Sequence, residues 1–288
     1  MLVLDGKLVA QSQRMALRPK VADFTRTWGR PPHLTVVLVG QDPASQVYVR
    51  NKLKACADVG IHSTQVLIDQ GVTEDNLLAQ LRELNELDSV DGILVQLPLP
   101  KGLNSELVNE VLNPLKDVDG LTFQSMGHLA AGKPLVSPCT PKGIMNLLAH
   151  YKIPVKGAHA VVIGRSHIVG RPMSQLLLNA DATVTVCHSK TKDLKAVTQL
   201  GDIVIVAAGQ REFFGRDYFR KGAVVIDVGI HGSGTGKGIC GDIRFAELEG
   251  WAHAATPVPG GVGPLTIATL LDNTLELAEK RMQQRKRS

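Results

Sequence analysis

At 288 residues the chain is longer than one typical domain, and two domains are the natural expectation. Apolar residues at 44% and charged residues at 20% are those of an ordinary globular protein, and no apolar run reaches the roughly eighteen residues a membrane helix needs, so neither membrane insertion nor export is expected. The net charge of +5 comes with only 4% aromatics, too few to interleave with basic residues on a nucleic-acid surface, so that class is set aside as well.

In chain order, HLTVVLVG (33–40) predicts a strand, followed by a helix over about 45–59. HSTQVLI (62–68) predicts the next strand, followed by a helix over 74–87. DGILVQLPLP (91–100) predicts a strand that ends at prolines, and 105–112 a further helix. Strand and helix alternate as in βαβ units, which predicts a parallel sheet with helices on both faces. PKGIMNLLAH (141–150) predicts a helix leading into a second domain, with proline in its first turn and Ile144, Leu147 and Leu148 on one side. AVVIGRSHIVGRPM (160–173) predicts a buried strand, a glycine-bearing turn and a helix continued by Leu176, Leu177 and Leu178. TVTVC (183–187) predicts the next strand. The last nine residues, KRMQQRKRS, are basic and read as a frayed helix end, where cations complement the dipole. The other use of positive charge is to attract small polyanions such as NADP or a polycarboxylate.

Strand, glycine turn and helix N-terminus are the parts of a phosphate cradle, because backbone N–H groups and the helix dipole converge there. The usual G-x-G-x-x-G is altered to Gly164-x-Ser166-x-x-x-Gly170. An NAD-binding unit carries an acid about twenty residues on, at the end of the second strand. Here that strand ends in Cys187, His188, Ser189 and Lys190, with no carboxylate. A 2′-phosphate is therefore accommodated, with Arg165 and Ser189 as its partners. The competing reading is a plain turn with a solvated arginine.

Three further features carry chemistry. Tyr48 and Lys52 are four apart, on one helix face, where a lysine beside a tyrosine can act as acid or base. An ordinary amphipathic helix with a solvated lysine explains the same spacing. Short-chain dehydrogenases also carry Y-x-x-x-K, but after their nucleotide-binding glycines, whereas here it comes first. Gln96 lies inside an apolar predicted strand, so its amide needs partners: a ligand in a cleft at the strand end, or a neighbouring loop. KDVDG (116–120) places two carboxylates in a loop. Asx turns explain such loops, yet Asp119 is also suited to paired hydrogen bonds with an amino-pyrimidine edge.

Cys56, Cys139, Cys187 and Cys240 are widely spaced with no C-x-x-C, which fits a reducing cytoplasm and neither disulfides nor zinc. The nine histidines include no H-E-x-x-H, so no metal is expected. The glycine-rich stretch 229–242 reads as a flexible surface turn.

Taken in order, YVRNK, DGILVQLPLP, KDVDG, PCTPKG, VVIGRSHIVGRP, VIDVG and TPVPGGVGPLT resemble the bifunctional methylenetetrahydrofolate dehydrogenase/cyclohydrolase family over nearly the whole chain. The resemblance implies an α/β fold of two α/β domains with a cleft between them. One is an N-terminal parallel-sheet folate domain (1–140) with a C-terminal helix (264–288) packing back on it. The other is a Rossmann NADP-binding domain (141–263), through which a homodimer forms. It implies oxidation of 5,10-methylenetetrahydrofolate by NADP to the methenyl cation, then hydrolysis to 10-formyltetrahydrofolate. The setting it implies is cytoplasmic one-carbon metabolism feeding purine, histidine and methionine biosynthesis. By the same resemblance Lys52 is the catalytic lysine, Gln96 the amide that holds it, Tyr48 the ring packed on folate and Asp119 the pterin anchor. Pro259, Gly260 and Gly261 let backbone approach the folate. Gly164, Arg165, Ser166, Ser189 and Ile230 contact NADP, and Thr266 approaches the nicotinamide. A shikimate-type dehydrogenase would share the Rossmann half but lack DGILVQLPLP and GGVGPLT.

Overall fold

A computed structural model describes residues 1–232 and 238–286. The elements run β1 (Leu2–Val3), α1 (Gly6–Trp28), β2 (His33–Val39), α2 (Pro43–Val59), β3 (His62–Ile68), α3 (Glu74–Glu86), β4 (Gly92–Val95), α4 (Ser105–Val111), α5 (Phe123–Ala130) and α6 (Cys139–His150). They continue with β5 (His159–Ile163), α7 (Gly170–Asn179), β6 (Thr183–Cys187), α8 (Leu194–Thr198), β7 (Ile203–Val206), β8 (Val224–Asp227), β9 (His231–Gly232), β10 (Ile239–Cys240), β11 (Ala254–Ala255) and α9 (Val262–Arg285). The chain divides into two compact units, 12–139 with 267–288, and 1–11 with 140–266. Among the described residues no helix is long and apolar enough to cross a membrane.

In the first of these units the sheet order is β3-β2-β4, all parallel. The central strand β2 is apolar at nearly every position because both its faces are covered. Leu34, Val36 and Leu38 pack with Leu17 and Phe24 of α1, Val49 of α2 and Leu271 of α9. Val37 and Val39, alternating to the other face, pack with Leu77 and Leu81 of α3 and Val108 of α4. Each such side chain contributes roughly 1.5–3 kcal/mol of burial. The buried carboxylate of Asp91 receives Arg30 of the α1–β2 connection (Nη2–Oδ1 2.8 Å), Arg281 of α9 (Nη1–Oδ1 3.0 Å) and the His33 N–H (2.9 Å), which fastens α9 to the sheet.

Two expectations are corrected here. The strand predicted over 91–100 is only β4, Gly92–Val95. Gln96 still donates its N–H to Val37, but the prolines that follow have no N–H for a ladder. The helix predicted from 45 begins at Pro43, because Asp42 caps it by accepting from the Ser45 N–H at 2.8 Å. Residues 1–11 group with 140–266 in the compact division of the chain: β1 pairs with β11, and the Leu4 N–H bonds to the Ala255 carbonyl.

That second unit has one parallel sheet, β1-β11-β8-β7-β5-β6. From β5 the chain passes through α7 to β6 on one side, then returns to β7 on the other. The direction therefore reverses at the C-terminal end of β5, where such sheets bind ligands. Val161, Ile163, Val204, Val206 and Val225 form its core with Phe214, Phe219 and Leu248. β9 and β10 pair antiparallel; residues 233–237 of the glycine-rich stretch, expected to be a flexible turn, lie outside the described residues.

Candidate active site and nucleotide-binding site

Lys52 projects from the middle of α2 and is half-buried. Its Nζ donates to Gln96 Oε1 at 2.9 Å. Gln96, one residue beyond β4, is buried, and its Nε2 donates to the Leu97 carbonyl, so both ends of the amide are engaged and the oxygen is fixed toward the lysine. The partner that the buried amide required is thus a side chain of α2. Tyr48, one turn before Lys52, is 46% exposed and does not enclose the lysine.

Asp119 follows the bridge between Ile93 and Asp117, which holds the KDVDG segment beside β4. Burial pushes the Asp119 carboxyl above the usual carboxylate range; the Lys52 charge and a hydrogen bond from the Cys139 thiol pull it back. Lys52, Gln96 and Asp119 therefore form one polar cluster at the C-terminal end of β4. Asp117, in contrast, is structural: it accepts from the Thr122 N–H at 2.7 Å and from Ser125 Oγ at 2.9 Å.

In the other unit, β5 runs into Gly164 and the turn before α7. Gly164 has φ +123°, and a Cβ there would lie 2.2 Å from the Ala207 carbonyl oxygen. A Cβ on Gly170 would lie 2.2 Å from the Gly164 oxygen. Only glycine allows the turn to fold this tightly onto the helix start. Ser166 Oγ accepts from the N–H groups of Val169 (3.2 Å) and Gly170 (3.3 Å), which explains serine at the altered position of the fingerprint. Ile163 pairs with Cys187, and the Gly164 N–H bonds to the Cys187 carbonyl at 2.9 Å. Arg165 and Ser189, each two residues beyond that pair, are both exposed at the same sheet edge. The nearest following acid, Asp193, caps α8 through the Ala196 N–H. The glycine cradle, the helix start and the absence of a carboxylate in 187–192 fit a dinucleotide that carries a 2′-phosphate.

Ile230, Pro259, Gly260 and Gly261 line one cavity of about 410 Å³ with Asp5 and Lys7. A Cβ on Gly261 would lie 2.4 Å from the Pro257 oxygen, so the close approach it permits is already made within its own turn. Thr266 is half-buried, its hydroxyl 2.9 Å from that of Thr140.

Residues 4–119 match the catalytic domain of tetrahydrofolate dehydrogenase/cyclohydrolase, and residues 138–282 match the NAD(P)-binding domain of the same family. The chain belongs to this family. It is 56% identical to a bifunctional protein FolD of Bdellovibrio bacteriovorus over 280 residues, 97% of each chain. Among solved structures it is similar to the bifunctional FolD methylenetetrahydrofolate dehydrogenase/cyclohydrolase of Campylobacter jejuni, with 46% identity and TM-score 0.94 over 98% of this chain and 99% of that one. It is also similar to the Trypanosoma brucei dehydrogenase-cyclohydrolase complexed with NADP cofactor and inhibitor, with 37% identity and TM-score 0.92 over 98% of each chain.

Two carboxylates of the nucleotide-binding unit escaped the sequence reading. Asp242 accepts from the N–H groups of Ala208 (2.8 Å), Gly209 (2.9 Å) and Gln210 (2.8 Å) and from His231 Nε2 (2.7 Å), shaping the loop after β7. Asp227 accepts from the N–H groups of Gly229, Asp242 and Ile243. Burial pushes the Asp227 carboxyl up to about 6 against those donors. A Cβ on Gly229 or Gly241 would strike these carboxylates, so part of the glycine-rich stretch is glycine for packing. The Gly-Asp pair at 241–242 was the available signal.

Proposed function

We propose that this family member oxidises 5,10-methylenetetrahydrofolate with NADP and hydrolyses the methenyl product to 10-formyltetrahydrofolate, using Lys52 as the proton carrier of the second step. The observation that carries the assignment is the Lys52–Gln96 hydrogen bond, which holds a lysine at a strand end beside Asp119. NADP, when bound, supplies the hydride acceptor. The first step depends on alignment, since the folate nitrogens drive the hydride out. In the second, water adds to the methenyl carbon, and a proton must leave that water and reach the folate nitrogen as the ring opens. Lys52 moves it, and Gln96 keeps the ammonium aimed. Asp119 accepts the paired N–H groups of the pterin, which requires its ionised form. The exposed ring of Tyr48 packs against the folate, and Pro259, Gly260 and Gly261 offer backbone to it.

On the cofactor side, Gly164 and Ser166 present the turn to the pyrophosphate, and Arg165 and Ser189 take the 2′-phosphate. Ile230 flanks the dinucleotide and Thr266 approaches the nicotinamide. The folate is assigned to the unit of residues 12–139 and 267–288. A homodimer forms along β6, which has a strand neighbour on one side and exposes Val186 at 40%. The four cysteines form no disulfide, consistent with a cytoplasmic place in the one-carbon supply of purine, histidine and methionine synthesis. The test is spectroscopic: methylenetetrahydrofolate with NADP should give methenyl absorbance, which then decays to the formyl product faster than without enzyme. No NADP-dependent absorbance would overturn the assignment.

A further inference from the structure

Near the start of β4, at the opposite end of that strand from Gln96, another cavity of about 350 Å³ is lined by the end of α3, the residues leading into KDVDG and the last turns of α9. Two of its lining groups are buried cations. Lys116 is 2% exposed, and its carbonyl accepts the Ile93 N–H at 2.7 Å, which holds it beside β4. Its Nζ donates to the carbonyls of Leu84 and Leu87, and the third N–H has no partner among the described residues. The Arg281 side chain is 10% exposed. Its Nη1 is committed to the Val90 carbonyl and to Asp91 Oδ1 (3.0 Å). Nε and Nη2 form the other edge of the guanidinium, the parallel pair that grips an oxyanion bidentately, and neither has a partner among the described residues.

The buried charges do not balance. Of the acids around Lys116, Asp91 is buried, whereas Glu86 and Asp88 are exposed and Asp88 is already paired with Arg285. Arg30 and Arg281 share the Asp91 carboxylate, so Lys116 is a further buried positive charge with carbonyls for partners and no counter-ion. The C-terminal carbonyls of α3 favour a cation, but they do not neutralise it. Burial, reinforced by the charge of Arg281, pulls the Lys116 amine down to about 8. Asn113 adds a neutral donor to the lining: its Oδ1 accepts from the Leu115 N–H at 2.9 Å, which leaves Nδ2 to donate.

We propose that this cavity binds a small oxyanion, a phosphate or a carboxylate, gripped by the Nε–Nη2 edge of Arg281 and neutralised by Lys116, with Asn113 Nδ2 as a further donor. None of these three residues belongs to the groups assigned to folate or NADP. The volume lies within the range of small-molecule pockets, so an anion with a few carbons fits as well as a bare ion. The experiment is calorimetric titration of the full chain saturated with NADP, so that the nucleotide's own phosphate sites are filled. The probes are inorganic phosphate and succinate, at constant ionic strength set by chloride. Saturable binding of at least one is expected, and the tighter probe identifies whether phosphate or carboxylate is the group taken. Lys116→Met removes a charge without touching Asp91 and should weaken binding about tenfold or more, as for a lost hydrogen bond to a charged group. Arg281→Lys keeps a cation for Asp91 but loses the fork, and should weaken it to a similar degree. The bound anion should also raise Tm more in the wild type than in either variant. With two variants, one decides if the other fails to fold. Binding of neither probe overturns the proposal, as does wild-type affinity in either folded variant.

Discussion

Replacing Arg165 by alanine tests the cofactor choice. Arg165 and Ser189 each lie two residues beyond the Ile163–Cys187 pair, in the segments that follow β5 and β6, and both are exposed. The 2′-phosphate is assigned to these two side chains. A charge-assisted hydrogen bond of this kind contributes roughly 1.5–3 kcal/mol, and Arg165 stands in solvent, so the lower end applies. That corresponds to about a tenfold loss in kcat/KM for NADP. NAD has no 2′-phosphate, so its kcat/KM should stay near the wild-type value. The assay is the ratio of kcat/KM for the two cofactors, followed as methenyl absorbance. Equal use of NAD and NADP by the unaltered enzyme, or equal loss of both in Arg165→Ala, would refute the assignment of this strand end.

Gly164→Ala should lower Tm and abolish NADP binding, because its Cβ would lie 2.2 Å from the Ala207 oxygen at φ +123°; wild-type Tm and NADP affinity would contradict the close approach. Lys116 is buried with its Nζ on the carbonyls of Leu84 (3.0 Å) and Leu87 (2.7 Å), and burial pulls its amine down to about 8 from 10.5. Between about pH 8 and 10.5 the native state has shed this proton and the unfolded chain has not. Wild-type stability should therefore rise with pH across that window relative to Lys116→Met, and a denaturant series showing parallel stabilities throughout would contradict it. Val186→Lys, on the exposed face of β6, should shift sedimentation from dimer to monomer; an unchanged mass would remove that edge from the assembly.

Much of this was legible in the sequence because period and punctuation agreed. β3 and β6 occupy the predicted residues, and the glycines at 164 and 170 stand where close backbone contact demands them. Strand β4 was read too long because LPLP continues the apolar pattern while proline removes the donors a ladder needs. The helix α1 was unread: Pro19 lies inside it and its polar and apolar residues show a weak stripe. The placement of 1–11 depends on β1 meeting β11 some 250 residues later, which no local pattern carries. In the site, Gln96 was visible as a polar intruder, and the Lys52 partnership supplied its reason. Asn273 was invisible because its partners, the Val118 and Ser137 carbonyls, are backbone groups far off in sequence.

The most direct measurement is methenyl accumulation by Lys52→Met, which keeps the side chain's length but can neither carry a proton nor donate to Gln96. General acid–base catalysis contributes about 10²–10⁴-fold, and cyclohydrolase activity should fall by that order. Dehydrogenase activity should survive in part, since alignment of folate and nicotinamide contributes separately. With methylenetetrahydrofolate and NADP, the variant should build up the methenyl intermediate to a plateau that decays only at its uncatalysed rate. Full retention of cyclohydrolase would place the proton carrier elsewhere, and equal loss of both activities in a folded variant would make Lys52 a folate-positioning residue; either result contradicts the assignment of the second step to its ammonium.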